Sequence, residues 1–213
     1  MQPLFLVLLT LLLKLPAAGP PAVRVTFRPL TQAAYLKAVK TAVVTKPATT
    51  FPLKKVRGRI VIPTGKGPKV FQDKGVGTDN DDQVEFDYRG YAVGSKFDVV
   101  EGRYWEGFRC YLVGANGQQV ALPGPPVYSP DTQRFVVASS GIEVSYLPNS
   151  IQLFGLANGR WQPLWKLEPS VEPATWEPDE IHWLFNSTLL LKKKMWTGKS
   201  PGSTFTYAKL TIQ

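Results

Sequence analysis

Residues 127–139 read VYSPDTQRFVVAS and residues 175–187 read TWEPDEIHWLFNS, and laying one over the other decides the expected fold. Both run aromatic, any residue, Pro, Asp, a few polar or mixed residues, then an apolar run that ends on Ser. An Ala-Asn-Gly turn precedes each copy, Ala115-Asn116-Gly117 before the first and Ala157-Asn158-Gly159 before the second. Asn-Gly accepts the positive φ that a tight hairpin needs. Pro-Asp makes a second kind of turn, because Pro fixes φ and the Asp carboxylate can bond backbone amides two residues on. Each unit then supplies about four short strands, one small sheet's worth. Two units in the same order, 42 to 48 residues apart, predict a tandem β architecture.

Working outward, the segments flanking both Asn-Gly turns are apolar and strand-like, and residues 84–88, 91–93 and 97–100 continue the pattern upstream. A final hairpin pairs 187–196 with 204–212 across the loop 197–203. Residues 22–27 and 56–62 alternate as short strands. Thr31 has the hydroxyl of a helix N-cap, and Ala34, Tyr35, Ala38, Val39 and Ala42 then fall on one helical face. Pro47 and Pro52 make 45–53 a connector. The expected fold is mainly β: antiparallel sheets in propeller-like tandem repeats, closed or open, with one short N-terminal helix.

Residues 1–15 (MQPLFLVLLTLLLKL) form an apolar stretch too short to span a bilayer, followed by small residues. This reads as a secretory signal over residues 1–19, and predicts a periplasmic or secreted bacterial protein. Cys110 is the single cysteine, so no intramolecular disulfide can form and the core itself must hold the fold. Charge is segregated. Through Gln72 there are twelve Lys and Arg and no acid; from Asp73 onward there are thirteen basic and sixteen acidic residues. That step suggests a basic segment over 20–72 and a β-repeat domain over 73–213. The basic field suits a polyanion, docking on the acidic body that follows, or simple solubility.

Tyr104-Trp105-Glu106, residues 108–113, residues 126–137 with Ser129-Pro130-Asp131, and residues 176–184 together resemble bacterial exported proteins of unknown function built from propeller-like repeats. The Ser-Pro-Asp turn after an aromatic also looks like the blade signature of TolB-type and WD-type β-propellers. Only two clear units are countable, whereas a closed propeller needs at least about four blades. The resemblance implies a binding or scaffolding role rather than chemistry.

The favoured binding surface combines Lys54, Lys55, Arg57, Arg59, Lys66 and Lys69 with the aromatics Tyr104 and Trp105. Its partner is expected to be an envelope protein or an anionic polysaccharide, approached by charge and selected by aromatic contact. Nucleic acid ranks last, since only Phe27, Tyr35, Phe51 and Phe71 interleave with the basic residues. The competing reading is a carbohydrate- or envelope-active hydrolase using Glu101 and Glu106 as acid and base. The acidic loop Asp79-Asn80-Asp81-Asp82 lacks the glycine and bidentate Glu of an EF-hand. His182 is the only histidine, which rules out a multi-His zinc site and suggests a structural role. Gly198-Lys199-Ser200 lacks the first glycine of a phosphate loop. Lys192-Lys193-Lys194 reads as a solvated strand end. No cofactor, metal or catalytic motif emerges.

Overall fold

The computed structural model describes residues 23–141, 147–169, 176–196 and 203–213. The predicted signal and the Gly198-Lys199-Ser200 loop lie outside the described residues. One helix, α1 (Gln32–Val39), accompanies fifteen strands among them. Sheet I contains β2 (Thr49–Thr50), β5 (Val84–Ala92), β6 (Phe97–Tyr104), β7 (Gly107–Gly114) and β8 (Gln119–Leu122), side by side in that order. Sheet II is ordered β12 (Arg160–Leu167), β11 (Ser150–Ala157), β10 (Arg134–Ser139), β9 (Val127–Tyr128). Sheet III is ordered β1 (Val25–Leu30), β15 (Ser203–Ile212), β14 (Thr188–Trp196), β13 (Trp176–Phe185). A separate hairpin pairs β3 (Arg59–Ile62) with β4 (Lys69–Gln72). All strand pairings are antiparallel.

The sheets stack face to face with sheet II in the middle. Phe135 and Val137 of β10, with Tyr128, Phe154 and Trp161, pack against Phe97, Cys110, Leu112 and Leu122 of sheet I. Val136 of β10, with Ile151 and Leu153, packs against Trp183, Leu189, Leu191 and Leu210 of sheet III. Successive side chains of a strand point to opposite faces, so a sheet covered on both sides needs a nearly continuous apolar run. The run Phe135-Val136-Val137-Ala138 meets that need. The outer faces are covered too. Ile60, Ile62 and Phe71 of the hairpin cover Phe86, Val100 and Val113 of sheet I. Helix α1 covers the far side of sheet III, where Tyr35 stacks 4.7 Å from Tyr207 and donates to Glu180 Oε2 at 3.1 Å. Among the described residues no closed propeller is seen.

The N-terminal third is spread over the whole stack. Strand β1 supplies the fourth strand of sheet III by pairing with β15 from Val25↔Ile212 to Leu30↔Tyr207. Thr31 caps α1 as expected, its Oγ1 accepting from the Ala34 amide at 3.2 Å. The connector then runs along one margin of each sheet. Val43 donates to the Trp183 carbonyl at 2.8 Å, Thr45 bridges Tyr128, and Thr49 and Thr50 pair with Ala92 and Tyr91. An edge strand leaves a row of backbone groups unpaired, and this segment bonds to such groups in three sheets. The charge step after Gln72 therefore does not follow the sheets: it falls at the end of β4.

The two Asn-Gly turns close hairpins as expected. At Asn158-Gly159 both residues have positive φ, 51° and 67°, the requirement of a type I′ turn. At Asn116-Gly117 only the glycine does, at 81°, and the loop is longer by two residues. The Pro-Asp equivalence is corrected. Ser129-Pro130-Asp131 is a turn between β9 and β10, with Asp131 Oδ1 accepting from the Gln133 amide at 3.0 Å. Pro178-Asp179 instead lies within the single strand β13, at a register shift. β13 is at the sheet margin, where a missing N–H costs no ladder bond. The Asp179 carboxylate turns to Lys192 at 2.6 Å rather than to the backbone.

Residues 84–88 and 91–93, read as two strands, belong to one bulged strand, β5, with Gly90 at φ 104°. A Cβ there would stand 2.3 Å from Thr49 Cγ2 and 2.7 Å from the Thr50 carbonyl, so glycine is what admits β2 to this edge. Residues 69–72 form β4.

Candidate functional site

The basic residues of 54–69 meet two fates. Lys55 is structural: its Nζ lies 2.6 Å from Asp73 Oδ2 and donates to the Phe86 carbonyl at 2.7 Å. Asp73 Oδ1 in turn accepts from the Phe86 amide at 2.8 Å, so this pair ties the hairpin to sheet I. Among the described residues Lys54, Arg57, Arg59, Lys66 and Lys69 have no ion-pair partner. The acidic groups are engaged elsewhere: Glu85 and Asp87 both receive Arg103, at 3.0 and 2.6 Å, and Asp82 pairs with Lys74.

Local geometry displays part of this set outward. Val56 and Arg59 exchange two backbone hydrogen bonds around Arg57-Gly58, whose φ angles of 49° and 71° make a tight two-residue turn with Arg57 at its tip. Ile60 and Phe71 point into the core, so the alternation of β3 and β4 turns Arg59, Val61, Val70 and Gln72 outward. Val56, Val61 and Val70 are exposed beside these cations. Lys69 stands opposite Ile62 on the inward side, and the Lys66 stem packs over Gly117. The outward basic face is therefore Arg57 and Arg59 flanking exposed valines, with exposed Lys54 just before them in the chain.

The aromatic half of the expected surface lies apart from it. Tyr104 packs edge-on to Phe86 at 6.3 Å and shares a short hydrogen bond with the Tyr111 hydroxyl, whose own proton is held more tightly because of burial and that bond. Trp105, 44% exposed in the β6–β7 turn, lines a cleft of about 450 Å³ with Asp81, Glu106, Arg109, Pro123 and Pro148. That cleft contains none of the basic residues of 54–69. Glu101 and Glu106 are also separated: Glu106 lines this cleft, while Glu101 accepts from Arg89 Nε at 2.5 Å and lines a different cavity between sheets I and II. The carboxylate brought beside Glu106 is Asp81, from a loop about 25 residues away in sequence, which no local spacing could have signalled.

The lysine run at 192–194 is corrected as well. Lys192 bridges Asp179 at 2.6 Å and Glu180 at 2.9 Å, Lys194 lies 3.3 Å from Glu177, and the Lys193 ammonium sits 5.0 Å over the Trp176 ring. Burial lowers the proton affinity of Lys193. His182 lies 3.3 Å from Glu180 on the face that α1 covers. Asn186, in the β13–β14 turn, accepts from the Asp131 amide at 3.0 Å and links sheets II and III. Comparison with protein-family models, curated proteins and solved structures gives no match.

Proposed function

We propose that the protein is an exported, non-enzymatic binding module of the bacterial envelope, and that the outward face of the β3–β4 hairpin recognises an anionic polysaccharide. The observation that carries this reading is the unpaired state of Lys54, Arg57 and Arg59 beside exposed Val56, Val61 and Val70, while neighbouring acids are taken up by other partners. Unpaired cations on a rigid sheet face attract a polyanion at long range, and the valines shed water once contact is made. The three stacked meanders serve as propeller-like units left open as a scaffold, with β1 completing the last. Trp105 and its cleft form a separate surface.

The test is binding of polygalacturonate to the exported chain, followed by isothermal calorimetry across a salt series. Arg57→Ser with Arg59→Ser should weaken binding about tenfold and flatten its salt dependence, because exposed charges are screened over roughly 10 Å at 0.1 M salt. Lys37→Ser on α1 should leave binding unchanged. Equal binding by the double variant and the wild type would remove the hairpin face from consideration.

A further inference from the structure

A cavity of about 550 Å³ lies between sheets I and II, beneath the connector at Thr45–Thr49, and belongs to neither surface described above. We propose that it is a binding site for a small apolar carboxylate that carries a hydrogen-bond acceptor at the end remote from its charge.

Three observations carry this. First, Tyr128 lines the cavity, is only 7% exposed, and its hydroxyl has no hydrogen-bond partner among the described residues. Among the described residues Tyr91 and Tyr207 likewise show no such bond but are less buried; the remaining tyrosines are bonded. Tyr35 donates to Glu180, Tyr88 donates to Asp98 at 2.6 Å, and Tyr104 and Tyr111 bond to each other. A hydroxyl on a cavity wall that no protein group takes up marks a place for a ligand's polar atom. The Tyr128 ring cannot swing away, because it packs against Phe135 at 5.7 Å and Trp161 at 6.2 Å.

Second, the walls near Tyr128 are apolar: Val99, Ala92, Pro125 and Pro126 surround the buried Cys110. Burial pushes the Cys110 thiol up to about 12, so it stays neutral and acts as a small apolar wall. Third, the solvent side carries an uncompensated cation. Among the described residues Lys46 is exposed and has no ion-pair partner, while Arg89 is held by Glu101. A ligand anion therefore meets Lys46, its apolar body lies along the prolines and Val99, and its far end receives the Tyr128 hydroxyl proton as a hydrogen bond.

A pair of fluorescent probes tests the arrangement: 2-naphthoate, and 6-hydroxy-2-naphthoate, which adds an oxygen at the remote end. Titrated into the full chain, both should bind at one site, the hydroxylated probe about fivefold more tightly. Tyr128→Phe should erase that preference while retaining 2-naphthoate binding. Lys46→Gln should weaken both probes about fivefold, and Lys37→Gln, an exposed lysine elsewhere, should not. No binding of either probe at millimolar concentration would overturn the proposal. So would a preference that survives Tyr128→Phe, or equal binding by the Lys46→Gln and Lys37→Gln variants.

Discussion

Gln118 and Trp161 hold sheets I and II together through a reciprocal pair of hydrogen bonds. The Gln118 side chain donates from Nε2 to the Trp161 carbonyl at 2.7 Å and accepts at Oε1 from the Trp161 amide at 3.1 Å. Trp161 belongs to β12, a marginal strand of sheet II, so the Gln118 amide satisfies backbone groups that a further strand would otherwise take. Gln118→Ala should destabilise the protein by about 1–3 kcal/mol, because it leaves the two backbone groups of a half-buried edge without partners. Urea denaturation gives the number; a loss below about 0.3 kcal/mol would mean that water replaces the amide freely.

Gly90 is a second point where one atom matters. Its φ of 104° and the 2.3 Å approach of Thr49 Cγ2 leave no space for a methyl group. Gly90→Ala should cost more than about 1 kcal/mol and release β2 from β5. Hydrogen exchange should show faster exchange at Thr50 and Tyr91, with the β10 amides unchanged.

The tyrosines should respond differently to loss of their hydroxyls. Tyr35→Phe breaks the bond to Glu180 and should destabilise by about 1 kcal/mol. Tyr128→Phe removes a hydroxyl that has no protein partner among the described residues and that water can reach, so it should be neutral within about 0.5 kcal/mol. Thermal melts of the two variants separate these outcomes.

Glu180 makes stability depend on pH in a stated direction. The Lys192 ammonium, with further hydrogen bonds from His182 and Tyr35, holds its carboxyl below the ordinary range against the opposing effect of burial. A carboxyl depressed in the folded state contributes stability that is fully present above its unfolded value, about 4.3, and is lost as pH falls through the folded value. Wild-type stability should therefore fall more steeply below pH 4 than that of Glu180→Gln, in denaturant melts between pH 6 and pH 2.5.

A chain beginning at Asp73 should fail to fold cooperatively. It lacks β1, α1, β2 and the β3–β4 hairpin, which exposes the outer faces of sheets I and III, including Phe86, Val100 and Leu190. The expected signs are a broad thermal transition and strong binding of a hydrophobic dye. A sharp transition in that shortened chain would instead show that 73–213 is an independent unit.

Much of the β character was legible because strand and turn signals are local. Asn158-Gly159 specified its own turn, Thr31 its own cap, and the apolar run 135–138 a strand. Pro-Asp was misleading for a reason of position: the same two residues make a turn at 130–131 but sit at a bulge in a marginal strand at 178–179. The site was less legible, since Trp105 and Asp81 reach Arg109 of β7 from two separate loops, and Tyr128 meets Cys110 only across two sheets.

By itself the sequence determined an antiparallel β protein with one capped helix, a single buried thiol and a positive N-terminal third. Only the tertiary structure decided which cations stay unpaired, that Glu101 and Glu106 serve different cavities, and that the N-terminal third joins all three sheets. The physical reason is range. Dihedral preferences and side-chain alternation act over a few residues, whereas ion pairs, cavities and sheet margins arise between segments whose separation along the chain carries no record of their meeting.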